Sequence, residues 1–208
     1  AWAGELEALG AEVLRLPAIR IEPPADRRSL EAVARNLAAF DWTIFTSVNG
    51  VDAFFAMLER MGRDARAFGT CRIAAVGSGT AARLAEQGIR ADLVPPKYVA
   101  EEILASLKSA GVFAAEGGER RPLRFLLPRG DLARAELPER LRELGAEVTE
   151  VIAYQTVLET TGQEEALAAL AQGTVDAVAF TSASTARHFV QILGPQRLKQ
   201  ALASPRLK

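Results

Sequence analysis

Four short segments of the 208-residue sequence carry the residue types best suited to holding a charged ligand: Thr46-Ser47-Val48-Asn49, Gly77-Ser78-Gly79-Thr80, Pro128-Arg129-Gly130 and Thr181-Ser182-Ala183-Ser184-Thr185. Each follows a short apolar run and precedes a stretch with helical spacing, so each reads as a strand-to-helix turn. The first amides of a helix have no intrahelical partner, and the helix dipole adds partial positive charge there. Carboxylates and phosphates bind well at such places. Helix capping alone accounts for Ser, Thr and Asn at any one of them. Four at the carboxyl ends of parallel strands point to a polyanionic ligand, because open α/β sheets bind on that side.

The remaining inventory is sparse. One histidine, His188, lies on a helix and reads as a surface residue; Trp42 reads as core, and Cys71 as filling core or loop space. No His/Cys/Asp set has metal-ligand spacing, so no metal is expected. Tyr154, in Ala153-Tyr154-Gln155-Thr156, is the residue with chemistry to spare. The chain's internal repeat does not demand an aromatic there, since Tyr154 occupies the position of Ile19, and it reads either as a functional residue or as a strand tyrosine with a wetted hydroxyl. Gly77-Ser78-Gly79-Thr80-Ala81-Ala82 also fits a G-x-G-x-x-A dinucleotide pattern. That pattern wants an acidic residue at the end of the next strand; Asp92 begins that strand and Lys97 follows it. An NADP-binding oxidoreductase is therefore the weaker alternative.

A net charge of −1 with no basic stripe excludes ordinary nucleic-acid binding. The apolar runs fall short of the roughly 20 residues that span a bilayer. A single cysteine suits a reducing cytoplasm.

The elements that must position these residues come from an internal repeat. Leu6, Leu9, Gly10, Ala11, Glu12 and Val13 recur as Leu141, Leu144, Gly145, Ala146, Glu147 and Val148, an offset of 135. Asp41, Phe45, Thr46 and Ser47 recur at the same offset as Asp176, Phe180, Thr181 and Ser182, and Phe54 and Leu58 as Phe189 and Leu193. One register across separated blocks means two copies of one structural unit. In each copy a helix ends at Gly10 or Gly145, and a strand follows (Val13–Leu16 or Val148–Ala153). Next come a helix (Leu30–Ala39 or Glu164–Ala171), a strand (Trp42–Phe45 or Ala177–Phe180) and another helix (Asn49–Met61 or Ser184–Leu193). The first copy continues through strands Arg72–Val76 and Ala91–Val94, helix Ala100–Leu107 and loop Gly111–Pro122. Strand Leu123–Leu127 opens the second. Strands alternating with helices predict α/β architecture with parallel sheets flanked by helices. Two partner elements have no counterpart at the offset, a first strand before Ala1 and everything after Lys208. The sequence is therefore expected to be an incomplete record of a longer protein, and the 208-residue chain alone to lack turnover.

Phe45-Thr46-Ser47-x-Asn49-Gly50-Val51, Val76-Gly77-x-Gly79-Thr80, Leu126-Leu127-Pro128-Arg129-Gly130, Leu144-Gly145-Ala146-x-Val148 with Ala153-Tyr154-Gln155-Thr156, and Phe180-Thr181-Ser182 resemble, in this order, the uroporphyrinogen-III synthase family. The resemblance implies two similar α/β domains joined by a two-strand connector, with the substrate cleft between them. Residues 1–18 plus 157–208 would form one domain and 24–153 the other, with 19–23 and 154–156 as the connectors. It implies a cytoplasmic, monomeric lyase acting on hydroxymethylbilane, an octacarboxylate linear tetrapyrrole. Loss of water would give an azafulvene, and a spiro intermediate would then invert ring D on closure. No cofactor is needed, since the substrate supplies its own electron-rich pyrroles. Tyr154 matches the tyrosine thought to assist departure of the hydroxyl. Thr46, Ser47, Asn49, Gly77, Ser78, Thr80, Arg129, Gly130, Thr181, Ser182 and Ser184 would hold the acetate and propionate groups, largely through main-chain amides. A binding-only module of the same fold is a further alternative.

Overall fold

The computed structural model describes residues 2–96, 100–113, 121–159, 161–180 and 183–207. The chain divides into two units, residues 1–20 with 157–208 and residues 21–156.

The larger unit is built on a sheet with strand order β1-β5-β4-β2-β3, comprising β1 (Ile19–Glu22), β2 (Trp42–Phe45), β3 (Arg72–Ala75), β4 (Arg124–Gly130) and β5 (Glu147–Leu158). Strands β3, β2, β4 and β5 pair in parallel. The Glu159 amide, just past the end of β5, donates to the Ala18 carbonyl, just before the start of β1. The edge pair therefore runs antiparallel, and the sheet is mixed where wholly parallel sheets were expected.

The inner strands β2, β3 and β4 are buried on both faces, which is why they read as apolar runs and not as alternations. On one face α2 (Arg28–Arg35), α3 (Val48–Arg60) and α4 (Ser78–Glu86) cover Phe45, Leu126, Val151 and Ala153. Helix α3 contributes Val51, Phe54, Phe55 and Leu58, at i, i+3, i+4 and i+7, to a cluster in which Phe45, Phe54 and Phe68 meet edge-on or tilted. On the other face α5 (Ala100–Ser109) and α6 (Glu136–Glu143) cover Trp42, Ile44, Phe125 and Leu127. Trp42 is core, as expected, and so is Cys71.

Several boundaries differ from the sequence reading. Pro128-Arg129-Gly130 is not a turn into a helix: β4 runs through it, and α6 begins only at Glu136. Proline is tolerated because its carbonyl faces Gly50 of α3, so the N–H it lacks would fall on that edge and not on the β5 ladder. Strand β5 is continuous to Leu158 instead of ending at Ala153. The expected strand Ala91–Val94 shrinks to one bridge, Leu93 to Ala74. There the Asp92 carboxylate takes the Ile73 amide at 2.7 Å, a bond a longer ladder would have used. The loop Gly111–Pro122 falls largely outside the described residues, as does Lys97.

The smaller unit contains α1 (Trp2–Ala8), α7 (Glu164–Gln172) and α8 (Ala183–Leu202), the last kinked at Gly194-Pro195. Leu170, Phe189, Leu193 and Ala201 form its core, with Leu16 and Val178 against it. His188 on α8 is half-buried where a surface position was expected. Neither Val13–Leu16 nor Ala177–Phe180 is a strand, contrary to expectation. A strand needs a ladder, and neither stretch has one among the described residues. The repeat survives in its helix ends. Gly10 and Gly145 both have positive φ (87° and 80°), and the amides of Ala11 and Ala146 close back onto the carbonyls of Leu6 and Leu141 at 3.1 Å. Glycine reaches this left-handed cap without strain.

Among the described residues no helix is long and apolar enough to cross a membrane, and no group of three His, Cys, Asp or Glu is placed to hold a metal.

Candidate active site at the switch point of the sheet

The connection after β2 passes through α3 toward β3, whereas the one after β4 passes through α6 toward β5, in the opposite direction and on the opposite face. Right-handed crossovers require that change of face. The carboxyl ends of β2 and β4 therefore flank a topological switch point, where open α/β sheets form their ligand crevice.

Ser47 leaves the end of β2 and caps α3: its backbone is extended (φ −157°, ψ 154°) and its Oγ accepts the Gly50 amide at 3.0 Å. The same Oγ lies 3.1 Å from the Tyr154 hydroxyl, within hydrogen-bonding distance. The phenol ring rests over Gly130: a Cβ there would stand 2.7 Å from the ring's Cε2 and Cζ and 2.9 Å from Oη. At Gly50 a Cβ would meet Ser47 Oγ at 3.2 Å and the Pro128 carbonyl at 3.3 Å. Gly130 thus leaves the space the tyrosine fills, and Gly50 leaves room for the Ser47 hydroxyl and the Pro128 carbonyl.

A β-bulge aims it there. Arg129 is opposite Ile152, but Gly130 is opposite Tyr154, so Ala153 is an extra residue in β5. Val151 and Ala153 point into the α3 face, and strict alternation would send Tyr154 the other way, with the exposed Ile152. The bulge returns Tyr154 to the α3 face, against the same core cluster. The loop after the strand is tied down as well. The Asp131 amide donates to the Tyr154 carbonyl at 3.2 Å, and the Asp131 carboxylate accepts the Thr156 amide at 3.0 Å.

Beside Ser47 lies the start of α4. Gly77 precedes it with φ 96°, and the Val76 amide donates to the Phe45 carbonyl at 2.8 Å, joining the ends of β3 and β2. A Cβ on Gly79 would come within 4.0 Å of the Val48 side chain, so the two helix starts are neighbours. Thr46, Asn49 and Ser78 are exposed there, and Thr80 is buried.

The structure does not bring Arg129 to this group. Its side chain lies on the α6 face, paired with Glu150 and donating to the Arg134 carbonyl, while Glu150 also takes Arg142 at 2.8 Å. Gly130 contributes the absence of a side chain, not the helix-start amide expected of it. Thr181 and Ser182 lie outside the described residues, as does the side chain of Ser184. Two participants, Gly50 and Ala153, were missed by sequence reasoning. Glycine in the first turn of a helix is disfavoured by propensity and signals a close approach, whereas nothing in the residues marks Ala153 as the bulge.

Fold and site together define an α/β enzyme with a phenol and two helix starts gathered at one switch point. A family model described as uroporphyrinogen-III synthase HemD matches residues 1–207. The sequence is 33% identical over 195 residues to the uroporphyrinogen-III synthase of Synechococcus elongatus, covering 92% of this chain and 69% of that protein. It is 28% identical over 202 residues to that of Chlorobaculum parvum, covering 95% of this chain and 76% of the relative. A mutant uroporphyrinogen III synthase from the extremely thermophilic bacterium Thermus thermophilus shares the fold with a TM-score of 0.63 at 23% identity, over 100% of this chain and 78% of that one. The chain belongs to the uroporphyrinogen-III synthase family of tetrapyrrole-forming lyases.

Proposed function

We propose that the protein converts hydroxymethylbilane to uroporphyrinogen III, with Tyr154 assisting departure of the hydroxyl group as water. The observation carrying this reading is the Tyr154 hydroxyl, set by a bulge at the switch point and 3.1 Å from Ser47 Oγ. The phenol gives its proton to the leaving oxygen as the carbon–oxygen bond breaks. It recovers one when the ring-closed product loses a proton, so the balance is one water lost and the tyrosine unchanged. The pyrroles supply the nucleophile and the stabilised cation, and the protein contributes a held conformer. The amides opening α3 and α4, with Thr46, Asn49 and Ser78 exposed beside them, receive carboxylate groups. In the full-length protein, two α/β domains joined by a two-strand connector and acting as a cytoplasmic monomer complete the reading.

Feeding hydroxymethylbilane to the full-length protein and resolving the product isomers tests it. Rapid formation of the type III isomer supports it, and exclusive formation of the spontaneous type I isomer refutes it. Tyr154→Phe is expected to lower kcat by about tenfold to a hundredfold, the ordinary range for losing one acid group. Unchanged turnover would remove the tyrosine from the chemistry while leaving the function standing.

A further inference from the structure

We infer that Ser47 is the positioning residue for Tyr154: its hydroxyl donates to Tyr154 Oη, fixing the phenol so that the tyrosine's own proton is free for the substrate. The inference rests on the role proposed above for Tyr154.

The hydrogen-bond inventory supplies the argument. A serine hydroxyl has one proton and two acceptor positions. One acceptor position is taken by the Gly50 amide, which fixes Oγ at the start of α3 at 3.0 Å. Across the 3.1 Å contact to Oη either hydroxyl can donate. If Tyr154 donates to Ser47, its only proton is spent inside the protein and none is available for a leaving group. If Ser47 donates, Oη keeps its proton, and the serine dipole faces the negative charge that develops on Oη as that proton departs. Donors fixed in advance toward developing charge assist the transition state more than the ground state. The surroundings fix the serine: β2 ends at Phe45, Ser47 has the extended backbone of a cap, and α3 is anchored by buried Val51, Phe54 and Leu58. Ser47 therefore does its work through the tyrosine, and its cap bond to Gly50 is what holds it still. This role differs from the ligand-holding one expected of it from sequence.

The test is a double-variant cycle on the full-length protein, reading kcat and KM for formation of the type III isomer. Ser47→Ala is expected to lower kcat by roughly fivefold, the scale of one hydrogen bond, with KM unchanged. Ser47→Thr restores both cap and hydroxyl and should recover most of the loss. Ser47→Gly keeps the helix start nearly as stable yet lacks the hydroxyl, so it should match the alanine variant and separates positioning from folding. In a Tyr154→Phe background, Ser47→Ala should produce no further fall in kcat, because the atom it serves is gone. Multiplying losses in the double variant, or a raised KM with kcat intact, would overturn the inference and place Ser47 on the substrate directly. Full turnover by Tyr154→Phe alone would overturn the tyrosine's role and the positioning role with it. That outcome is distinct from the multiplicative one, which leaves Tyr154 in place.

Discussion

Replacing Gly130 with alanine isolates the contact on which the site depends. Gly130 is not among the glycines with positive φ, so the backbone accepts a side chain there. The obstacle is the tyrosine: the new Cβ would stand 2.7 Å from Cε2 and Cζ of Tyr154 and 2.9 Å from its hydroxyl, where ordinary contact begins at 3.4 Å. The ring must therefore retreat by ~0.7 Å. Oη is 3.1 Å from Ser47 Oγ, and a shift of that size carries it toward the ~3.6 Å at which the bond is lost. Overpacking of this kind costs about 1–3 kcal/mol. A displaced acid approaching 1 Å from its working position lowers kcat by roughly tenfold to a hundredfold. Denaturant unfolding and the rate of type III isomer formation read the two effects separately. A paired measurement in a Tyr154→Ala background supplies the control: with the ring gone, Gly130→Ala should change stability by less than about 0.5 kcal/mol, the range of an uncoupled site. Gly130→Ala with an unchanged unfolding midpoint and unchanged turnover would refute the packing of the ring over this glycine and the reasoning built on it.

Two further outcomes follow from parts of the fold away from the phenol. Arg129→Met is expected to cost about 2 kcal/mol in denaturant unfolding, less than the breaking of an isolated buried pair because Glu150 keeps Arg142, and to leave KM unchanged. A raised KM at unchanged stability would return Arg129 to the ligand site. The Asp41 carboxyl is held below the usual carboxylate range, chiefly by the Arg121 guanidinium and also by the Arg124 amide. Its contribution is therefore complete above the ordinary carboxylate pKa of about 4 and is lost as pH falls through the lower folded value. The gap in thermal midpoint between the native protein and Asp41→Asn should stay level near neutrality and narrow in acid; a gap constant to the lowest pH would exclude the ion pair as its source.

What could be read from residues alone was whatever depends on local chemistry. The glycine-terminated helices, the cap at Ser47, the core strand Trp42–Phe45 and the group of Thr46, Ser47 and Gly77 at strand ends all follow from propensity and spacing. What escaped was set by pairing. Pro128-Arg129-Gly130 looks like a turn by composition, yet the ladder with β5 carries the strand through it. Arg129 looked like a carboxylate ligand until the alternation of β4 turned it toward Glu150. The extended stretches Val13–Leu16 and Ala177–Phe180 have strand composition but lack a ladder among the described residues. Tyr154 was singled out by its type, while its orientation depends on a partner strand more than twenty residues earlier in the chain.

The bulge at Ala153 makes the site a matter of counting. Side chains along a regular strand obey parity, so losing one residue from an internal strand normally turns everything beyond it to the wrong face. At this point the arithmetic runs the other way. A chain without Ala153 would meet β4 in an unbroken ladder, with Ile152 still opposite Arg129 and Tyr154 still opposite Gly130. The phenol would keep its face, and the α3 side would lose one buried methyl group. The damaging change is the one that keeps every residue and lets Ala153 slip into the place opposite Gly130. The sheet would then be more regular by every local measure, and the tyrosine would project on the face of Arg129, away from Ser47. The strand is thus forgiving of a codon lost here and intolerant of perfect regularity.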